Sequence, residues 1–229
     1  MAISNTKALR GIRGVIAKNM INSLQNTAQL TLFAEFDASK LVADKKTFSE
    51  PGQKVGFEDL IANKICDVLK RHPLMNSRLD EEQLETFDQV HISFAIATDN
   101  GLLAPTLFNA DSMSLNELST SRQELLSRAM QGALTVKEMT QGTITLSNLG
   151  ITRVDHFTPI LNYPQVAIIG LGQIASKPCV LADGSIGARP LMSLSLTIDH
   201  RLIDGAPGGQ FLTDLCTALE SPTAPTIAT

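Results

Sequence analysis

Residues 191–209 read LMSLSLTIDHRLIDGAPGG. Met192, Leu194, Leu196 and Ile198 fall on one face of an extended chain, and Ser193, Ser195 and Thr197 fall on the other. That period-two alternation is the signature of a strand with one face turned to a core. Asp199, His200, Arg201 and Asp204 follow at once, four ionisable groups in six residues. Continued alternation would aim His200 to the same side as the apolar set. A histidine ending such a strand is expected to be partly desolvated and held on a rigid edge. Beyond it Pro207 stands where a helix can start, and Phe211, Leu215 and Leu219 recur every four residues. The stretch therefore reads strand, turn, helix.

Working outward, Ala8–Ala28 reads as a helix with Ile12, Val15, Ile16, Met20 and Leu24 on one side, and Gln29–Phe36 alternates as a strand. Phe57–Arg71 is a second helix, with Leu60, Ile61, Ile65, Val68 and Leu69 as its stripe and Pro73 as its stop. His91–Thr98, the turn Asp99-Asn100-Gly101 and the extended Leu102–Leu107 make a hairpin signature. Ser114 with Glu117, and Thr135 with Glu138, have capping-box spacing at the starts of two further helices. Thr143–Ser147 and Gln165–Gly172 are strands. Helices interleaved with antiparallel-looking strands imply an α/β fold, an α+β two-layer sandwich in a single domain over residues 1–229.

Composition narrows the function. The chain has 229 residues, 43% of them apolar, and a formal net charge of −4, with no basic cluster that would mark a nucleic-acid footprint. Its longest apolar run, Gln165–Gly172, is far too short to cross a bilayer, and the N-terminal MAISNTKALRG lacks the apolar core of a signal peptide. Cys66, Cys179 and Cys216 have no metal-ligand spacing and read as free thiols. These features lead us to expect a soluble, cytoplasmic protein with no metal, no membrane and no nucleic-acid partner.

Of the four histidines, His72, His91 and His156 have structural explanations as good as catalytic ones. His200 has neighbours that fit a job: a neutral imidazole at a strand end can accept a proton near neutral pH. Asp204 could orient the ring or pair with an arginine. Equally, Asp199, Arg201 and Asp204 could form an ion-pair cluster at a strand-to-helix turn. There is no Gly-x-Ser-x-Gly, no phosphate-cradling glycine loop and no zinc-ligand pair. What remains is a histidine base whose nucleophile arrives with the substrate, such as a thiol or hydroxyl acceptor attacking a thioester. A hydroxyl at another strand end would serve the developing oxyanion. Ser147 sits at such an end, although Thr143, Thr145 and Ser147 also form the polar side of an alternating strand.

Asp199-His-Arg-Leu-Ile-Asp-Gly-Ala206 resembles the DHRxxDGA signature of the 2-oxoacid dehydrogenase dihydrolipoamide acyltransferases. Their catalytic domains belong to the chloramphenicol-acetyltransferase-like superfamily. Gly142-Thr-Ile-Thr-Leu-Ser-Asn-Leu-Gly150 is similar to the family's GTFTxSNLG block, and His156–Ala167 to the segment after it. Arg10–Met20 resembles the opening helix, and His72-Pro-Leu-Met-Asn76 and Gly101-Leu-Leu-Ala-Pro105 follow in the family's order.

The resemblance implies a mixed, mostly antiparallel sheet packed by helices. It also implies acyl transfer, most simply of acetyl, between dihydrolipoamide and coenzyme A. In that reading His200 is the general base, Ser147 the oxyanion donor, and Asp204 a holder of geometry paired with Arg13 or, alternatively, Arg10. Arg13, Asp199 and Gly205 are the structural support. The family further implies a homotrimer with its sites between subunits, and a larger cubic or icosahedral core. It implies a lipoyl domain, a decarboxylase and dihydrolipoamide dehydrogenase as partners, and the mitochondrial matrix as the compartment if the source is eukaryotic. Lipoyl and peripheral-subunit-binding domains are not expected within residues 1–229, so the lipoyl group would come in trans or from a domain absent here. Asn162-Tyr-Pro164 departs from the family's Asn-Pro-Pro. The alternatives are a free-standing O-acyltransferase and a non-catalytic core scaffold.

Overall fold

The computed structural model describes residues 5, 8–48, 55–98, 101–181 and 183–223. Its strands are β1 Gln29–Asp37, β2 Ser77–Asp80, β3 Gln83–Thr86, β4 Ile92–Thr98, β5 Gly101–Leu103, β6 Thr106–Leu107, β7 Ile144–Asn148, β8 Ala167–Val180 and β9 Ile186–Asp199. Its helices are α1 Gly11–Asn26, α2 Ser39–Thr47, α3 Phe57–Leu69, α4 Leu115–Met130, α5 Val136–Thr140 and α6 Gly205–Glu220. Seven strands form one sheet in the order β1-β9-β8-β7-β4-β5, with β6 also on β4, while β2 and β3 make a separate hairpin. The β8–β7 and β7–β4 pairings are parallel and the others in this sheet antiparallel. This is the mixed, mostly antiparallel sheet that the motifs implied.

The alternation in β9 does what it predicts. Leu194, Leu196 and Ile198 are fully buried beside Ile169 and Leu171 of β8 and Ile144 and Leu146 of β7. Over them lie α3, α4 and α6, through Leu60, Ile61, Ile65, Leu118, Leu125, Phe211 and Leu215. Burying a Leu or Ile side chain contributes about 1.5–3 kcal/mol, so this continuous layer is the main stabilising term. Helix α6 comes close enough that a Cβ at Gly208 would stand 2.9 Å from Ile198 Cδ1.

The polar face of the sheet is covered too. Ser195 and Thr197 are almost fully buried under the 150–165 connection, whose Phe157 ring occupies the space a Cβ at Gly170 would need. Thr197 Oγ1 lies 2.8 Å from Thr31 Oγ1 of β1. Both capping boxes form: Glu117 N–H donates to Ser114 Oγ at 3.3 Å, and Glu138 N–H to Thr135 Oγ1 at 3.2 Å.

One predicted element differs from the sequence expectation. Helix α1 is shorter at both ends, and its apolar side is only partly packed within the chain: Ile16 lies against Gly101 of β5, while Ile12 is 48%, Val15 57% and Leu24 49% exposed. The turn expected at Asp99-Asn100 lies outside the described residues.

Candidate active site

His200 lies one residue beyond β9. Its N–H donates to the Ala28 carbonyl at 2.8 Å, while Asp199 N–H donates to the Val166 carbonyl at 3.0 Å. The strand ends there, so the alternation does not carry His200 into the core. Its side chain is 44% exposed in the single chain, so the ring is only partly desolvated. Nδ1 lies 3.7 Å from Asp204 Oδ1, too long for a hydrogen bond. No hydrogen bond occupies Nε2 among the described residues.

Asp199 is the buried carboxylate of the turn. It accepts from Arg201 Nε at 3.0 Å and Nη2 at 2.6 Å, and from the N–H groups of Arg201 and Ala28 at 3.1 and 3.2 Å. The Asp199 hydrogen bond and charge keep the Arg201 pKa above its ordinary value despite partial burial. Asp199 thereby fixes the turn that presents His200.

The other supports are placed differently. Asp204 precedes α6, 82% exposed at its side chain, and makes no side-chain cap bond. Arg13 is exposed on α1 beside Gly101 of β5. β5 stands four strands from β9, roughly 19 Å at the usual inter-strand spacing. The expected Asp204–Arg13 pair is therefore not made within one chain, and Arg10 forms no ion pair among the described residues. A Cβ at Gly205 would meet only Leu30 Cδ2, at 3.8 Å, so space does not require glycine there.

Ser147 is the penultimate residue of β7, half-buried on the polar face, and its Oγ makes no hydrogen bond among the described residues. Across the sheet it is level with Gly170 and Ser195. His200 lies five residues farther along β9 and two strands away, which puts the two residues roughly 20 Å apart. One chain does not bring them together.

A pocket of about 230 Å³ opens at the His200 end, between Asn19, Met20 and Asn22 of α1 and Asn162, Tyr163 and Gln165. The Tyr163 hydroxyl donates to Asp80 and accepts from Glu81 N–H at 3.2 Å. The aromatic ring is thereby fastened to the β2–β3 hairpin. The Asp80 bond pushes the Tyr163 pKa upward.

The sequence reading missed the network beneath Ser147. Asn148 Nδ2 donates to Glu58 at 3.0 Å, and Arg122 binds Glu58 and Asp59 at 2.6 and 2.5 Å. Burial opposes the Arg122 charge, but the Asp59 bond and the two carboxylates outweigh it and hold its pKa high. Three charged residues among apolar positions of α3 and α4 were the only available signal. Among the described residues no group of His, Cys, Asp and Glu could hold a metal ion, and no helix is long and apolar enough to cross a membrane.

Comparison with known proteins supplies the context. The dihydrolipoyllysine-residue acetyltransferase component of the pyruvate dehydrogenase complex from Staphylococcus epidermidis is 38% identical over 223 residues. The match covers 95% of this chain and 51% of that protein. The chain thus spans about half the length of the curated relatives it matches. A structure addressing a serine, a histidine and an asparagine in the catalytic mechanism of Azotobacter vinelandii dihydrolipoamide acetyltransferase aligns with a TM-score of 0.87. It is 32% identical, over 96% of this chain and 92% of that one. The cubic core of a pyruvate dehydrogenase multienzyme complex aligns equally well, at 31% identity over the same shares. A chloramphenicol acetyltransferase, 16% identical with a TM-score of 0.56 over 94% of this chain and 98% of that one, shares the fold. The family described as 2-oxoacid dehydrogenases acyltransferase (catalytic domain) matches residues 2–227, and the chain belongs to it.

Proposed function

We propose that the protein transfers an acetyl group between dihydrolipoamide and coenzyme A, in the core of a 2-oxoacid dehydrogenase complex. The observation that carries this reading is the pair of unengaged groups. His200 Nε2 and Ser147 Oγ stand at ends of two strands of one sheet, neither spent on a structural bond. Nε2 takes the proton of the incoming thiol, the thiolate attacks the thioester carbon, and Ser147 donates a hydrogen bond to the tetrahedral oxyanion. Collapse expels the second thiolate, which recovers the proton from the imidazolium. Asp204, facing Nδ1, favours the tautomer with its proton on that nitrogen.

A separation of roughly 20 Å makes the complete site a joint product of two copies, with His200 from one and Ser147 from the next. A closed homotrimer satisfies this, and the exposed Ile12, Val15 and Leu24 of α1 are a surface such contacts would cover. Further assembly into a shell would follow the cubic core seen in the relative. A lipoyl domain, a decarboxylase and dihydrolipoamide dehydrogenase are its partners.

Serine at position 147 favours acetyl over succinyl transfer. The pocket lined by α1 and Asn162–Gln165 agrees, because none of its lining residues is charged. Steady-state assays with acetyl-, isobutyryl- and succinyl-coenzyme A and free dihydrolipoamide test this reading. Preference for acetyl supports it, and preference for succinyl refutes the substrate choice. Inactivity toward dihydrolipoamide with turnover of an alcohol refutes the reaction.

A further inference from the structure

Among the described residues Ser147 Oγ has no hydrogen-bond partner to orient it, so its position depends on the backbone of the β7 end. Immediately beyond, the chain leaves the sheet. Asn148 Oδ1 accepts from Gly150 N–H at 2.7 Å, closing the turn. Gly150 itself packs against β8, where a Cβ would stand 2.6 Å from the Gly172 carbonyl oxygen. The other end of the Asn148 amide reaches across to α3, with Nδ2 donating to Glu58 Oε1 at 3.0 Å. Glu58 Oε2 accepts from Arg122 Nη1 of α4 at 2.6 Å. Arg122 is anchored in turn by the fully buried Asp59, through Nε at 2.5 Å and Nη2 at 3.2 Å, and Asp59 also accepts from Gly56 N–H at 2.7 Å. The guanidinium lies 5.6 Å from the centre of the Phe94 ring, on the strand that pairs with β7.

A buried ion-pair network of this kind returns little net stability, because desolvation offsets the attraction. What a fully bonded network does provide is fixed geometry. We propose that Glu58 and Arg122 are positioning residues that act through Asn148 to hold the Ser147 hydroxyl where the oxyanion forms. This inference rests on the reading of Ser147 as the oxyanion donor. Neither residue touches substrate. Glu58 binds the donor half of the Asn148 amide while the acceptor half shapes the turn, so the amide cannot rotate without losing both bonds.

The test is steady-state transfer from acetyl-coenzyme A to dihydrolipoamide by Glu58→Ala, Asn148→Asp, the double exchange Asn148→Asp with Glu58→Gln, Ser147→Ala, and Ser147→Ala with Glu58→Ala. The Glu58 side chain is 26% exposed, so its truncation is compatible with folding. Asn148→Asp keeps the acceptor for Gly150 N–H and sets two carboxylates face to face. The double exchange restores a donor and an acceptor with their sides swapped. Each of Glu58→Ala and Asn148→Asp is expected to lower kcat by about ten- to a hundredfold with KM little changed, as small displacements at a reacting centre do. The exchange should recover most of the loss, and Glu58→Ala should cost nothing more once Ser147 is gone.

An unchanged kcat in Glu58→Ala, no recovery in the exchange, or the same loss with and without Ser147 overturns the inference. If Ser147→Ala alone keeps full kcat, the oxyanion reading falls and takes the inference with it. If Ser147→Ala is impaired and the Glu58→Ala loss is additive, only the inference falls.

Discussion

His200 and Asp204 stand four residues apart across a turn, and the carboxylate is solvent-exposed at 3.7 Å from Nδ1. At that distance, and with water competing, the charge of Asp204 is heavily screened. Its shape matters more than its charge, since either a carboxylate or an amide oxygen can face Nδ1. Asp204→Asn is therefore expected to keep kcat within about tenfold of the parent. His200→Ala should lose ~10²–10⁴, the range for removing a general base. Measuring both with acetyl-coenzyme A and dihydrolipoamide decides it, and a loss in Asp204→Asn equal to that in His200→Ala would assign proton transfer to the carboxylate.

Among the elements, α5 shows how a short helix is held. Glu138 accepts from Arg128 Nη1 of α4 at 3.0 Å and from the N–H and hydroxyl of Thr135, both at 2.8 Å. The Arg128 bond leads these effects in bringing the Glu138 pKa down to about 2. A carboxylate depressed on folding stabilises the native state fully above its ordinary value near 4.5 and loses that contribution as pH falls toward 2. Melting temperatures measured across this window should fall more steeply for the parent than for Glu138→Gln. Parallel curves would show that the network is absent in solution.

The α5 capping box was legible because its donors and acceptors are three residues apart. Helix α2 was not: Ser39–Thr47 buries only Leu41, too little for a periodic stripe. The β2–β3 hairpin was equally hidden, since its turn uses Glu81 at φ 52° rather than glycine or asparagine. The Arg122–Asp59 bond joins residues 63 positions apart, and no local pattern encodes it. In the candidate site, the motif blocks singled out His200 and Ser147. Alternation misplaced the histidine because β9 stops at Asp199, held by hydrogen bonds to Arg201 and Ala28.

For the whole molecule, register across the sheet is what favours the proposed site between copies over a site within one chain. Strands β7 and β9 are separated by β8, and Ser147 is level with Ser195 rather than with the end of β9. No side-chain rotation spans the roughly 20 Å that this leaves, and a rigid sheet cannot fold one end onto the other. In a ring of copies, every His200 meets the Ser147 of a neighbour through a head-to-tail contact. Two damaged chains can then repair each other. When His200→Ala and Ser147→Ala proteins are mixed in equal amounts, dissociated and reassembled, about a quarter of the contacts unite an intact His200 with an intact Ser147. Activity should rise from the low level of either variant to about a quarter of the parent. A site contained in one chain would gain nothing on mixing, and activity fixed at the mean of the two variants would place both residues in the same copy.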